Sequence, residues 1–400
     1  MYSILVTLLA FCGWSQRSQS FPVVSAGDER AGFVTTLGRD TVALESFTRT
    51  ETHMDGDIVV RVPGTVLCHY SVDIGPGGMV THTVLDIKSL GTSEVLARRV
   101  TLDFARDSLR VMVDSSGHKQ TTTRVLQKGE FPLYMTGFGS SFGLYSSLGM
   151  YELFLPHVTS TVSDTTAVHS DDMASGRTST RQFVRRSPTV VDVDYFGILW
   201  THLSVDSAGR ITSADASATT EKTQSERTAF FDVSHAANAF AAADRTGRGL
   251  GVASPNQVER GTVGGQPVVA TYGSPRKRGR PILGNVVPYD RIWRTGANEA
   301  TVLVFDRDLS IGGTTVPAGA YSLWTLPKRD GTVQLIVNRQ HGQWGTDYDP
   351  TQDVVRVPMQ VTVATTPHEN LAISLNGSGN VSALRISWDT FVWSVPVALK

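Results

Sequence analysis

The densest chemistry in this 400-residue chain lies between Trp293 and Glu299, Trp-Arg-Thr-Gly-Ala-Asn-Glu. Trp293 offers a flat apolar face. Arg294 offers a planar fork of donors that matches carboxylate, phosphate or carbonyl oxygens. Asn298 and Glu299 carry donors and acceptors suited to polyols or to peptide backbone. Such a set would hold a sugar, a peptide or an anionic ligand. Arg280, from the basic run Arg276-Lys277-Arg278-Gly279-Arg280, and Trp344, from the polar loop Asn338 to Asp349, complete the candidate binding set. An architectural alternative uses the same residues: Arg294 and Glu299 pair with each other, and Asn298 ties the loop to a sheet, as Asn beside Gly does in tight corners. The basic run itself reads as a solvated loop leading into a strand. A polyanion seat is its alternative, although the aromatic interleaving of single-stranded nucleic-acid sites is thin around it.

Other chemistries find less footing. The 10 histidines are scattered, with no His-x-His, His-Glu-x-x-His or Cys–His cluster, so neither a metal nor a cofactor is expected. No nucleophile elbow or Walker loop stands between a strand and a helix. Asp171-Asp172, Asp347 and Asp349 read as solvated turns. Cys68 sits in the alternating run Val66 to Tyr70, which makes it a small buried hydrophobe rather than a nucleophile. The expectation is a non-catalytic protein that binds a small molecule, glycan or lipid. The alternative is a hydrolase of envelope glycans or peptides with Glu299 as general acid or base, which needs a second acid or base within reach. A formal net charge of -1 supplies no basic field for nucleic acid.

These residues need elements to position them, and the length favours two domains. Residues 1–26 read as a signal peptide. The apolar run Ile4 to Trp14 is too short to span a bilayer but suits a signal core, and Val24-Ser25-Ala26 supplies small residues for cleavage, although no Lys or Arg precedes the run. That predicts a periplasmic or secreted protein. Cleavage would leave Cys68 without an intrachain partner. No later stretch is apolar for long enough to be a transmembrane helix.

Residues 27–234 alternate with period two between Gly, Pro and Asp stops, which predicts an antiparallel sheet forming an open barrel or half-barrel. Asp206-Ser207-Ala208-Gly209 marks a hairpin turn. Phe131 to Pro156 is apolar and glycine-rich. It reads as a loop or short helix closing the core, or as the wall of an apolar pocket, which would make this domain an apolar-ligand carrier. His235 to Arg245 is an alanine-rich helix, and residues 235–251 form helix and linker, with a glycine-bearing connector continuing to about Gly265. Residues 252–400 then read as about eight short strands from Ala300 onward, a β-sandwich of jelly-roll type. The whole is mainly β.

The second domain carries a resemblance. Gly273 to Arg280, Val287-Pro288-Tyr289, Ile292 to Thr301 (with Trp-Arg-Thr-Gly-Ala-Asn-Glu-Ala-Thr at its heart), Ile311-Gly312-Gly313, Val316 to Leu323, Gln343-Trp344-Gly345 and Trp388 resemble the domain of unknown function 2911 family. The resemblance covers about residues 252 to 400 and implies an exported bacterial β domain with no reaction to carry over. The first domain is similar in layout to the lipoprotein-carrier type of open β half-barrel, a likeness of architecture alone.

Overall fold

The computed structural model describes residues 28–91, 97–105, 107–115, 117–126, 147–158, 165–172, 177–195, 199–219, 222–378 and 381–400. The chain is mainly β, an open half-barrel followed by a sandwich. The half-barrel comprises β1 (Glu29–Leu37), β2 (Asp40–Arg49), β3 (His53–Val60), β4 (Val66–Ile74), β5 (Val80–Ser89), β6 (Ala97–Phe104), β7 (Ser108–Ser115) and β8 (His118–Val125), then β9 (Thr165–Asp172), β10 (Arg177–Ser187), β11 (Val190–Tyr195), β12 (Leu199–Val205), β13 (Ile211–Asp215) and β14 (Gln224–Ala229). They form one 14-stranded sheet in the order β8-β7-β6-β5-β4-β3-β2-β1-β14-β13-β12-β11-β10-β9. Two meanders thus join where the first strand pairs with the last, and β8 and β9 are left as edges. The β12–β13 turn is the expected one: Asp206 Oδ1 accepts from the backbone N–H groups of Ala208 and Arg210, both at 2.9 Å, and Gly209 takes φ 78°.

One core packs against this sheet. Phe33, Phe47, Met54, Leu102 and Phe183 pack in it around α1 (Leu148–Phe154), whose seven residues are all buried. Of the apolar stretch Phe131 to Pro156, residues 131–146 lie outside the described residues. The remainder supplies this helix, so the short-helix expectation holds there. Gly149 lets the helix lie this close, since a Cβ would meet Met54 Cε at 2.7 Å and Phe47 Cδ1 at 2.8 Å.

Two buried carboxylates hold α1. Glu45 accepts from Tyr70 Oη at 2.7 Å, from Leu148 N at 2.8 Å and from Ser147 Oγ. Burial raises its carboxyl above the ordinary value while those donors pull it down. Glu152 accepts from Ile211 N at 2.7 Å and pairs with Arg227 at 2.5 Å and Arg49 at 3.1 Å. Both arginines also pair with Glu29, which closes a four-membered ring of charge. Burial nonetheless pushes the Glu152 carboxyl up to about 7 against the pull of the two arginines.

Cys68 on β4 is fully buried, and burial drives its thiol far above the usual range. Iodoacetamide is therefore expected to leave Cys68 unmodified in the native protein and to alkylate it in denaturant, because the thiolate is the reactive form. Peptide mapping reads this directly, and native labelling at the denatured rate would refute the burial.

The connecting helix α2 (Val233–Arg245) begins two residues before the expected His235, because Asp232 caps it by accepting from Ser234 N at 2.8 Å. It lies outside the sheet, with Val233 and Ala237 packed on Val59. Asp244 Oδ2 accepts from Thr65 N at 2.7 Å, so the helix is fastened at its far end too. Among the described residues no helix is long and apolar enough to cross a membrane.

The second domain comprises β15 (Asn256–Val263), β16 (Gln266–Gly273), β17 (Thr301–Phe305), β18 (Leu309–Ile311), β19 (Thr314–Val316), β20 (Gly319–Pro327), β21 (Val333–Asn338), β22 (Asp353–Pro358), β23 (Gln360–Ser378) and β24 (Val381–Leu399). A six-stranded sheet, β15-β16-β17-β20-β21-β22, faces a four-stranded one, β19-β18-β24-β23, over a core that includes Trp388, Trp393, Leu323 and Leu335. One expectation needs correction. The connector does not run to Gly265; β15 and β16 form a hairpin there, and β15 was hidden because it is an edge strand with mostly exposed polar residues and little alternation. At Met359 the chain passes from β22 in one sheet to β23 in the other.

Candidate functional site at the domain seam

The expected binding residues fall into two groups. Trp293 belongs to the core. It is 8% exposed, stacks on Trp388 with ring centroids 6.2 Å apart and meets Trp393 edge-on at 6.4 Å. Its backbone bridges to Thr325 through bonds of 2.8 and 2.9 Å. The flat face expected to meet a ligand is therefore spent on sandwich packing. Sequence spacing shows an aromatic but not the two tryptophans, about a hundred residues later, that cover it.

The others gather around Gly345. Glu299 is exposed and bridges to Trp344, which is half-buried. Asn298 takes the left-handed φ of 64°, and its carbonyl accepts from Gly345 N at 3.0 Å. Arg294 crosses Gly345 so closely that a Cβ there would lie 1.9 Å from Arg294 Cδ. Among the described residues no Arg294–Glu299 ion pair forms, so the architectural alternative for this pair is not realised. Asn298 does tie the loop down, through its backbone.

Arg280 stands a few residues along a different structure, the seam between the domains. The basic run is not a solvated loop. Arg278, 2% exposed, pairs with Asp40 of the half-barrel at 2.5 Å. Its carbonyl accepts from Arg39 N at 2.9 Å. Lys277 pairs with Asp389, and Arg276 Nη1 donates to Leu250 O of the connector at 3.3 Å. Arg280 folds back on the run itself, donating to Arg276 O at 2.6 Å and Lys277 O at 3.1 Å. Four cations in five residues would repel in solution; here counter-charges and carbonyls from three parts of the chain hold them.

Beside this contact opens a cleft of 360 Å³ lined from both domains, including Arg39, Asp40, Leu250, Arg276, Glu369 and Asn370. Its two carboxylates are engaged, Asp40 by the Arg278 side chain and Glu369 by Arg278 N at 2.9 Å. Arg39 is exposed at its rim. The cleft can therefore offer donors from Arg39 and Arg276 and both kinds of bond from Asn370.

The half-barrel brings a further cation to the seam. The pairing of Thr36 with Gln224 places the β1–β2 and β13–β14 turns side by side at the end of the sheet that meets the sandwich. Lys222, on the second of these turns, donates to Ser217 O at 2.9 Å. Burial lowers its ammonium to about 8, and the nearby Arg294 and Arg280 add to the shift. Burial likewise lowers Arg294 to about 10 and, with Arg278, Arg280 to about 10. Neither Lys222 nor Arg39 was nominated from the sequence. Each stands beside an acidic residue, Asp40 or Glu221, more than fifty residues from the basic run, and no local pattern distinguishes it from a solvated charge.

Residues 254–397 match the family described as Protein of unknown function (DUF2911), and the C-terminal region thereby carries the resemblance read in the Trp293 to Thr301 stretch. No curated protein matches the chain. A solved structure, the crystal structure at 1.80 Å of a DUF1089 family protein from Pseudomonas aeruginosa, is similar at 11% identity over 43% of this chain and 89% of its own, with a TM-score of 0.28.

Proposed function

We propose that this chain, a half-barrel joined to a DUF2911 domain, is a non-catalytic binding protein of the cell envelope that holds a polar ligand, a sugar or peptide fragment, in the cleft between its domains. The observation that carries the reading is the cleft itself: 360 Å³, of small-ligand size, with donors from both domains. A binding role suits it better than acid–base chemistry, because Asp40 and Glu369 are both occupied by Arg278. Export rests on the apolar run Ile4 to Trp14 and the small residues before Gly27.

The test is native mass spectrometry of the full chain exported into a bacterial periplasm, repeated for Arg39→Ala and Asn370→Ala. A polar species of defined mass should accompany the parent protein, and each variant should lose about tenfold in affinity, the cost of one hydrogen bond to the ligand. Equal retention by both variants would place the ligand elsewhere. A bare parent chain whose melting temperature also ignores cell-wall sugar and peptide fragments would end the proposal.

A further inference from the structure

Two arginines at the seam cleft have no counter-charge. Arg39 belongs to the half-barrel and Arg276 to the sandwich, and both line the same 360 Å³ opening. Each is held in place. Gly38, at φ 63°, lets the β1–β2 turn press on the sandwich, since a Cβ there would lie 2.3 Å from Arg278 O. The Arg39 stem then runs over Gly279, where a Cβ would stand 3.5 Å from Arg39 Cδ. Beyond it the guanidinium is exposed and, among the described residues, makes neither a hydrogen bond nor an ion pair. The backbone of Arg276 bridges to Asn370, and its side chain donates once, to Leu250 O at 3.3 Å. Arg278 Nη2 reaches the same carbonyl at 3.5 Å, so two guanidinium groups stand side by side in the cleft wall. Asp40 answers only the second of them. Three guanidinium groups, those of Arg39, Arg276 and Arg278, thus share the wall with two carboxylates, those of Asp40 and Glu369, and one positive charge is left over.

We propose that the cleft selects its ligand by a carboxylate, held between Arg276 of the sandwich and Arg39 of the half-barrel with Asn370 beside it, an inference that rests on the reading of the cleft as a ligand site. A guanidinium offers a flat pair of donors that matches the two oxygens of a carboxylate. The uncompensated charge is single, and Asp40 and Glu369 stand in the same wall, so a phosphate dianion meets a repulsion that a monoanion largely escapes. A peptide C-terminus and an acidic sugar both carry such a group. Because the two arginines come from different domains, the bound carboxylate also ties the domains together.

The experiment is a saturation-transfer NMR titration of the full chain with two acids, N-acetyl-alanyl-alanine and glucuronic acid, each set against its uncharged amide of nearly the same shape. At least one acid should bind about tenfold or more tightly than its amide, the difference made by a hydrogen bond to a charged group. Arg39→Met and Arg276→Met should each lower the affinity for that acid about tenfold and leave the affinity for its amide almost unchanged. Arg276→Lys, which keeps the charge without the fork, should retain part of the preference. Should Arg276→Met fail to fold, Arg39→Met, on an exposed turn, still decides the matter. A preference for the peptide acid alone points to a peptide C-terminus, a preference for glucuronic acid alone to an acidic sugar, and the carboxylate seat stands in either case. Acid and amide binding equally would overturn the inference while leaving the cleft a ligand site, and so would an acid preference that survives in both methionine variants. Binding of none of the four probes would also overturn it, whereas the cleft reading itself falls only if the chain from the periplasm is bare as well.

Discussion

Glu152→Ala is expected to destabilise the half-barrel by about 3 kcal/mol, because removing one member of a buried charge network leaves its partners uncompensated. Glu152 lies in α1, accepts from Ile211 N and pairs with Arg49 and Arg227. Without it, two arginines packed over Phe33 and Phe47 share Glu29 alone, and a buried backbone N–H loses its acceptor. In a domain of this size the loss corresponds to about 10 °C in melting temperature. Because the two domains need not unfold together, hydrogen exchange of β1, β2 and β13 is the appropriate reading. Protection there should fall while that of β20 and β21 stays. Replacing Glu152, Arg49, Arg227 and Glu29 together with apolar residues of similar volume should recover much of the loss, since well-packed apolar groups often match a buried ion pair. An unchanged exchange pattern in Glu152→Ala would show the ring to be energetically idle.

The same residue sets a pH dependence. Its carboxyl rises from 4.5 to about 7 on folding, so between those values the native state binds more protons than the unfolded chain. By linkage, this contribution is fully present below about 4.5 and is lost as pH climbs through about 7. Glu152→Gln should remove that fall in stability.

Trp293→Ala is the second large effect, a loss of about 3–5 kcal/mol from the sandwich. The indole is 8% exposed and contacts both Trp388 and Trp393, so its deletion opens a large cavity between the sheets. Denaturant titration followed by tryptophan fluorescence should show the sandwich transition at lower midpoint with similar slope. A variant of unchanged midpoint that lost affinity for an identified ligand would show that Trp293 serves as a recognition face after all.

Several features were legible in the chain because local physics determines them. Period-two alternation broken by Gly, Pro and Asp predicts antiparallel strands wherever one face is buried, and the first domain is the antiparallel sheet read from it. Alanine content predicts α2, and Asp206 with Gly209 predicts its turn. The strand that failed, β15, lies at an edge with both faces largely polar, so it leaves no alternation to read. For the site, residue types identified Arg294 as a fork for an anion or for Glu299, and the chain's motifs identified the domain that carries it.

Burial and company were decided in three dimensions. Whether Trp293 faces a ligand or a core depends on Trp388 and Trp393, which another strand delivers. Whether Arg276 to Arg280 is solvated depends on Asp40 and Leu250, which lie on other segments. The docking of the β1–β2 turn on the sandwich, where Arg39 N donates to Arg278 O, follows from segments far apart in the chain. Alternation and propensity act between residues a few positions apart, so sequence determined the elements and the family of the second domain. Electrostatic and packing energies act through space, so the tertiary structure alone decided which of those charged and aromatic residues were neutralised and which were buried.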